Sequence, residues 1–306
     1  MKPIERVHII GMGALGLLYG SLITRTLGSG CVSFVMDDGR YERHQGKQHR
    51  INGEPMDFSV IRSSDATPCD LVIVAVKATG LTAALDTMAT SVGPDTTIIS
   101  VLNGISSEEI IAERYGAQRI VHTVAIAMDA MHFGGDLSYT KAGHLCFGVI
   151  DNTVQPHLDR VAAFCDRAGV DYVVEDIQHR MWSKFMVNVG INQTCMVYGT
   201  GYGGALQPGS EARMTFISAM REVILLAAER GIHISNKELL EYLDIMASFP
   251  ADATPSMGQD RINRRHRNSF FCSNENDVYS NQIIINLYTP GPISSYSYTY
   301  RGFDHI

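Results

Sequence analysis

The sequence predicts an α/β protein: a doubly wound parallel sheet in the N-terminal half, followed by an all-helical domain. Three observations carry this expectation. A short apolar strand (Val7, Ile9, Ile10) runs straight into Gly11-x-Gly13-x-x-Gly16, and a helical pattern follows at once. Strand-like and helix-like segments then alternate, the βαβ rhythm of a parallel sheet. From about residue 178 the periodicity becomes helical and stays so to about residue 243.

The glycine loop opens the chain in strand–turn–helix order, the context in which G-x-G-x-x-G binds a dinucleotide. The first Gly permits the tight turn, the second admits a pyrophosphate to the backbone, and the third lets helix and strand pack closely. The helix N-terminus then turns its unpaired N–H groups to the phosphates. Gly11, Met12, Gly13, Ala14, Leu15 and Gly16 are thus candidate cofactor-binding residues of a Rossmann-type unit.

A helix is expected over 15–26 and a β-branched, aromatic strand over 31–36. Asp37 follows that strand, about twenty residues beyond the loop, where an acidic side chain can bind an adenosine ribose and favour NAD. Arg40 and Arg43 stand close behind and suit a 2′-phosphate, which favours NADP, so the loop leaves both cofactors open. Residues 70–76 and 96–102 are almost continuous apolar runs, as expected of parallel strands covered on both faces. Lys77 leaves the first of these and Asn103-Gly104 the second, at the strand ends where open α/β sheets bind ligands. A helix over 107–115 and a further strand over 120–127 complete the pattern.

In the second half, long helices are expected at 181–196 and 210–230, the latter closed by Gly231. Within the first, Lys184, Asn188 and Asn192 recur at i, i+4 and i+8 and so share one helix face. The helix is otherwise apolar, and burial among such residues lowers a lysine pKa towards neutrality, which suits a proton donor. The domains expected are 1–177, dinucleotide-binding, 178–267, helical and catalytic, and 268–306, an atypical tail. The site is expected in the cleft between the first two.

Bulk properties narrow the partners. The 306 residues carry a formal charge of −7, without the basic stripe that nucleic-acid binding requires. The short run at Arg261, Arg264, Arg265, His266 and Arg267 reads as a solvated helix face. The six cysteines never approach a C-x-x-C spacing, so reduced thiols are expected and no metal site. No membrane span and no signal peptide are expected, which suits a cytoplasmic enzyme.

Together, Gly11-Met-Gly-Ala-Leu-Gly16, Val76-Lys77, Asn103-Gly104, Trp182-x-Lys184-x-x-x-Asn188-x-x-x-Asn192 and Ser256-Met257-x-Gln259-Asp260 resemble the ketopantoate reductases over roughly residues 5 to 267. The resemblance implies reduction of 2-dehydropantoate to D-pantoate, on the route to pantothenate and coenzyme A, usually with NADPH. It implies that Lys184 is the general acid and that Asn103 lies near nicotinamide and substrate. Asn188 and Asn192 would bind the substrate hydroxyl, Ser256 its carboxylate, and Lys77 would lie near the cofactor ribose and phosphate. The resemblance also implies a small 2-oxoacid as partner, and often a homodimer.

The chain departs from that family in two places. NADPH-specific members tend to carry Arg where this chain has Asp37. After Arg267 the family continues into a Thr-Glu-Ile-Asp-like stretch and two helices; its Glu, which assists the catalytic Lys, falls here on Asn268. The tail 268–306 instead is rich in Ser, Asn and Tyr, contains no Ala and a single Leu, and does not read as packed helices. Shifted by one nucleotide, permitted codons turn residues 266–273 into Thr-Glu-Ile-Leu-Phe-Phe-Ala-Val. A frameshift near 261–267, real or arisen in sequencing, is therefore expected to have replaced the last helices; with the tail as written, cofactor binding is expected to be kept and catalysis and stability impaired.

Overall fold

The structure is a computed structural model that describes residues 1–133 and 135–258. The tail, Asn268, Gln259, Asp260 and the basic run after residue 260 lie outside the described residues. Among the described residues, twelve strands follow one another as β1 (Val7–Ile10), β2 (Val32–Met36), β3 (His49–Ile51), β4 (Glu54–Met56), β5 (Ser59–Arg62), β6 (Leu71–Val74), β7 (Thr97–Ser100), β8 (Ile120–Ile126), β9 (Met131–Phe133), β10 (Asp136–Ser138), β11 (His144–Gly148) and β12 (Tyr172–Val174). The helices are α1 (Ala14–Leu27), α2 (Asp38–His44), α3 (Leu81–Thr87), α4 (Ser107–Tyr115), α5 (Gln155–Ala168), α6 (Ile177–Tyr198), α7 (Tyr202–Leu206), α8 (Glu211–Glu229) and α9 (Asn236–Ala247).

Eight strands form the main sheet in the order β12-β11-β8-β7-β6-β1-β2-β5. Its central strands are parallel, with Ile9 of β1 opposite both Phe34 of β2 and Ile73 of β6. The order reverses at β1, whose neighbours β2 and β6 lie on opposite sides, and ligands bind at such a switch point. The sheet is buried on both faces. Leu17, Leu18, Leu158 and Phe164 of α1 and α5 cover one side, and Leu81, Leu85 and Ile111 of α3 and α4 cover the other.

Two features differ from the expected parallel sheet. β11 runs antiparallel to β8, with Leu145 opposite Ala125, because the chain returns without the helical crossover that parallel pairing needs. A second, four-stranded sheet, β4-β3-β10-β9, stands apart from the first. Its strands have three residues each, too few to show a period of two. The Asn52-Gly53 pair, both at positive φ, turns β3 into β4 and was its one clear sequence signal.

The helical unit packs on its own core, in which Phe185, Met186 and Val189 of α6 meet Phe216, Met220 and Val223 of α8 and Leu239 and Leu243 of α9. Helix α6 starts earlier than its apolar period suggests, because the Asp176 side chain caps the His179 N–H at 3.2 Å. Its first turn is tied down: Arg180 grips Glu175 through two 2.8 Å bonds and donates to the Tyr242 hydroxyl at 3.2 Å. His179 meets Glu238 at 2.8 Å. Helix α8 ends at Glu229 with Arg230 as C-cap, so Gly231, the predicted cap, at φ 75°, lies one residue beyond the observed one.

Candidate active site

The glycine loop leaves the carboxyl end of β1 beside Ala75, whose N–H bonds the Ile10 carbonyl at 2.8 Å. Gly11 has φ 108°, and a Cβ there would stand 2.5 Å from the Ala75 carbonyl oxygen. A Cβ on Gly16 would stand 2.0 Å from the Gly11 carbonyl oxygen, so these two glycines are required by the protein itself. Gly13 differs. Its backbone is extended at φ −87°, and a Cβ would meet nothing nearer than 4.0 Å. The open space beside Gly13 lies at the N-terminus of α1, where no side chain caps the helix and no acidic residue occupies the first turn. Unpaired N–H groups with room before them suit an anion, and the loop therefore fits a dinucleotide pyrophosphate.

Beyond β2, Asp37 caps α2 by accepting the Arg40 N–H at 2.9 Å. The Arg40 Nε lies 3.5 Å from the other carboxylate oxygen of Asp37, and both side chains stay substantially exposed. The expected acid and the expected base thus form one pair at the end of β2. Lys77 is exposed just past β6, where its extended backbone leads into a short 3-10 turn, Ala78–Gly80. β6 lies next to β1, so Lys77 and the glycine loop share one end of the sheet.

The centre of the site is Lys184. Nζ donates to the Asn103 Oδ1 at 2.9 Å and to the Ala125 carbonyl at 2.7 Å. One residue comes from α6, one from the loop after β7, and one from β8, so the lysine joins the helical unit to the sheet. Lys184 is half-buried by the residue's surface, yet its ammonium is packed on enough sides that burial pushes its pKa down to about 8. Glu108 of α4 opposes that shift through its negative charge, as would a thiolate at buried Cys146 of β11. An ammonium has three N–H bonds, and two here are committed to oxygen atoms; the third is left to donate to a ligand.

Two turns further along α6, buried Asn192 accepts from the Met257 N–H at 3.1 Å and from the Ser256 hydroxyl at 3.4 Å. Its Oδ1 is thereby fixed, which leaves the amide NH2 to donate. Asn188, half-buried, stands on the helix between Lys184 and Asn192. The helix that was expected to carry these three residues on one face does carry them, and Ser256 comes to the same face from 72 residues further along the chain than Lys184 (256 − 184).

Three participants escaped the sequence reading: the Ala125 carbonyl, the Cys146 thiol and Glu108. The first is a backbone group and leaves no trace in residue type. The second was one of six scattered cysteines. Glu108 follows Ser106-Ser107 at a helix start, where an acidic residue ordinarily faces water; it is instead 2 % exposed.

Two family models match the chain. The description "Ketopantoate reductase PanE/ApbA" matches residues 7–152, and "Ketopantoate reductase PanE/ApbA C terminal" matches residues 176–268. The 2-dehydropantoate 2-reductase of Streptococcus pyogenes is 23% identical over 268 residues, which span 85% of this chain and 86% of the relative. Among solved structures, the 2-dehydropantoate 2-reductase of Geobacter metallireducens GS-15 superposes with a TM-score of 0.74 at 26% identity, covering 85% of this chain and 87% of that one. A D-mandelate dehydrogenase, solved with NADH and anilino(oxo)acetate, shares the fold at a TM-score of 0.72 and 21% identity, over 85% of this chain and 86% of that one.

Proposed function

The chain belongs to the ketopantoate reductase family, NADPH-dependent oxidoreductases that act on a ketone, and from that premise we propose that it reduces 2-dehydropantoate to D-pantoate. The observation that carries the proposal is Lys184, held by Asn103 and the Ala125 carbonyl at the junction of the sheet and the helical unit.

The residues that hold the cofactor are those of the glycine loop, Gly11 to Gly16, with Asp37 and Arg40 at the adenosine end and Lys77 and Asn103 along the sheet edge. When bound there, NADPH supplies the hydride. Negative charge then grows on the carbonyl oxygen of the substrate, and Lys184 stabilises it and donates a proton from Nζ. An ammonium fixed in place binds that developing charge more strongly than the ground-state ketone, which is the condition for rate acceleration. The Asn103 and Ala125 oxygens hold Nζ in line and keep its charged form attractive despite burial. Asn188 and the free amide of Asn192 receive the substrate hydroxyl, and Ser256 its carboxylate. Residues 1–177 serve the cofactor, and 178–267 the substrate.

A second reading is reduction of another 2-oxoacid. The D-mandelate dehydrogenase has the same fold, so the fold alone does not select among such acids. Oxidation of NADPH and of NADH, followed by absorbance with 2-dehydropantoate and with other branched and aromatic 2-oxoacids, tests both. Preferential turnover of 2-dehydropantoate supports the first reading, and preferential turnover of another acid supports the second. Tight cofactor binding without turnover of any of them would overturn both and leave a dinucleotide-binding paralogue.

A further inference from the structure

Five residues beyond Asn103, Glu108 sits in the first turn of α4 with almost no exposed surface. A carboxyl so placed needs donors. It receives the Ser107 hydroxyl at 2.7 Å, and that hydroxyl in turn lies 2.8 Å from the Ser100 Oγ at the end of β7. The backbone N–H groups of Thr123 and of Glu108 itself also favour its charged form.

The Thr123 contact reveals why the carboxyl is there. β7 pairs with β8 only as far as Ile99 opposite Val121 and then turns away. Residues 121, 123 and 125 direct their backbone groups to the same side of β8, so the groups of Thr123 and Ala125 face an edge that β7 has left. The Thr123 N–H on that edge favours the charged form of Glu108, and the Ala125 carbonyl accepts from Lys184. Alternate residues of a strand stand roughly 7 Å apart. A buried carboxyl and the ammonium of Lys184 are therefore neighbours along one stretch of backbone.

We propose that Glu108 is a positioning residue for the reduction: docked beside Lys184 on the open edge of β8, its carboxylate sets the charge of that lysine and so the pH above which proton donation fails. This rests on the reading of Lys184 as proton donor.

The groups around the pair fix the sign. Burial lowers the Lys184 pKa, and the negative charge of Glu108 pulls it back up, as would a thiolate at Cys146. Burial, with Glu175 adding to it and Arg180 opposing, raises Cys146 to about 12, so at neutral pH Cys146 is a thiol and adds no charge. Glu108 is raised to about 7 by its own burial; Ser107 and the two N–H groups favour its charged form, and Glu109 disfavours it. Near neutral pH, Glu108 is thus the one of these groups whose charge acts on Lys184 from the sheet side.

The charge state of Lys184 is read directly by competitive acetylation of the full chain across neutral and alkaline pH. Acetic anhydride is the probe, and peptide masses compare Lys184 with Lys237, whose side chain is 86% exposed. The substitution Glu108→Gln is expected to move the Lys184 midpoint down by about one pH unit. Ser107→Ala keeps the carboxylate but removes the hydroxyl that favours its charge, so it moves the midpoint the same way by less. The alkaline limb of kcat/KM moves with the labelling midpoint in both variants. A midpoint left in place by Glu108→Gln, in protein that retains its circular dichroism, overturns the proposal; should that variant not fold, an unmoved midpoint in Ser107→Ala does so. A shifted midpoint in protein that turns over no 2-oxoacid upholds the coupling and overturns the reductase reading alone.

Discussion

Lys184 and Asn103, 81 residues apart in the chain, meet with Nζ 2.9 Å from Oδ1. The contact spans the junction between helix α6 and the end of β7, and it makes the lysine's geometry depend on both halves of the molecule. Losing the ammonium should therefore damage chemistry more than cofactor binding. Lys184→Met, which keeps much of the side-chain volume, is expected to lower kcat by ~10²–10⁴-fold, the range for loss of a general acid. Cofactor affinity, measured by quenching of protein fluorescence, should be unchanged, because the glycine loop lies on other elements. A parallel loss of affinity would show that Lys184 supports the fold of the site instead.

The charge on Lys184 also dictates a pH profile. Its pKa is lowered from 10.5 to about 8, so the donating form prevails below that pH and is lost as pH rises through it. Reduction should slow on the alkaline side of about 8, by tenfold for each further pH unit once the group has titrated. Initial rates at saturating cofactor measure this. A rate that stays level for two pH units beyond would remove Lys184 as proton donor.

Much of this site was legible before the fold was known, and the reasons are specific. Gly11 and Gly16 are read from sequence because close approach leaves no space for a Cβ, a constraint that any such loop shares. Lys184, Asn188 and Asn192 are read because a helix repeats every three to four residues, and the apolar residues around them signal a buried environment. The pairing of Asn192 with Ser256 is not written in any period, since it joins α6 to a segment 64 residues later. Nor is Glu108, whose burial follows from where β7 leaves β8. The three-residue strands of the smaller sheet fail for want of length.

Gly16 and Gly13 of the loop should respond differently to one added methyl group. Gly16→Ala places a Cβ 2.0 Å from a backbone oxygen and must shift α1 against β1, so a clear drop in the thermal midpoint is expected. Gly13→Ala meets nothing within van der Waals contact and should cost about 1 kcal/mol or less as a poorer helix cap. Its cost should appear in cofactor affinity, because the space it fills is where the pyrophosphate approaches. Differential scanning calorimetry with and without cofactor separates the two. Equal thermal losses would mean that Gly13 serves the fold alone.

Acid should weaken the fold partly through His8. This residue of β1 is 2% exposed, and its Nδ1 lies 2.8 Å from the Ser91 Oγ. Burial, reinforced by Arg6, lowers its pKa from 6.5 to about 4. A depressed folded-state pKa means that the stability is present above 6.5 and is lost as pH falls towards 4, as the unfolded chain takes up the proton first. The loss amounts to no more than about 3 kcal/mol. Urea unfolding at several pH values, compared with His8→Asn, should show a shallower acid slope in the variant; identical slopes would exclude the histidine as a source.

Cofactor choice should turn on Asp37 and Arg40. The 2′-phosphate of NADPH carries about −1.5 to −2 charges and would lie beside a carboxylate that already caps α2. Arg40, 3.5 Å from that carboxylate and substantially exposed, is the cation placed to offset the repulsion, and a phosphate would compete with Asp37 for it. Arg40→Ala is therefore expected to raise KM for NADPH by about tenfold, roughly the worth of one charge-assisted contact, with little effect on KM for NADH. Asp37→Ser should act in the opposite sense, easing NADPH and weakening the ribose contact that serves NADH. The ratio of kcat/KM for the two cofactors, measured in all three proteins, decides. Were both variants to change NADPH and NADH alike, the pair would be a cap and nothing more.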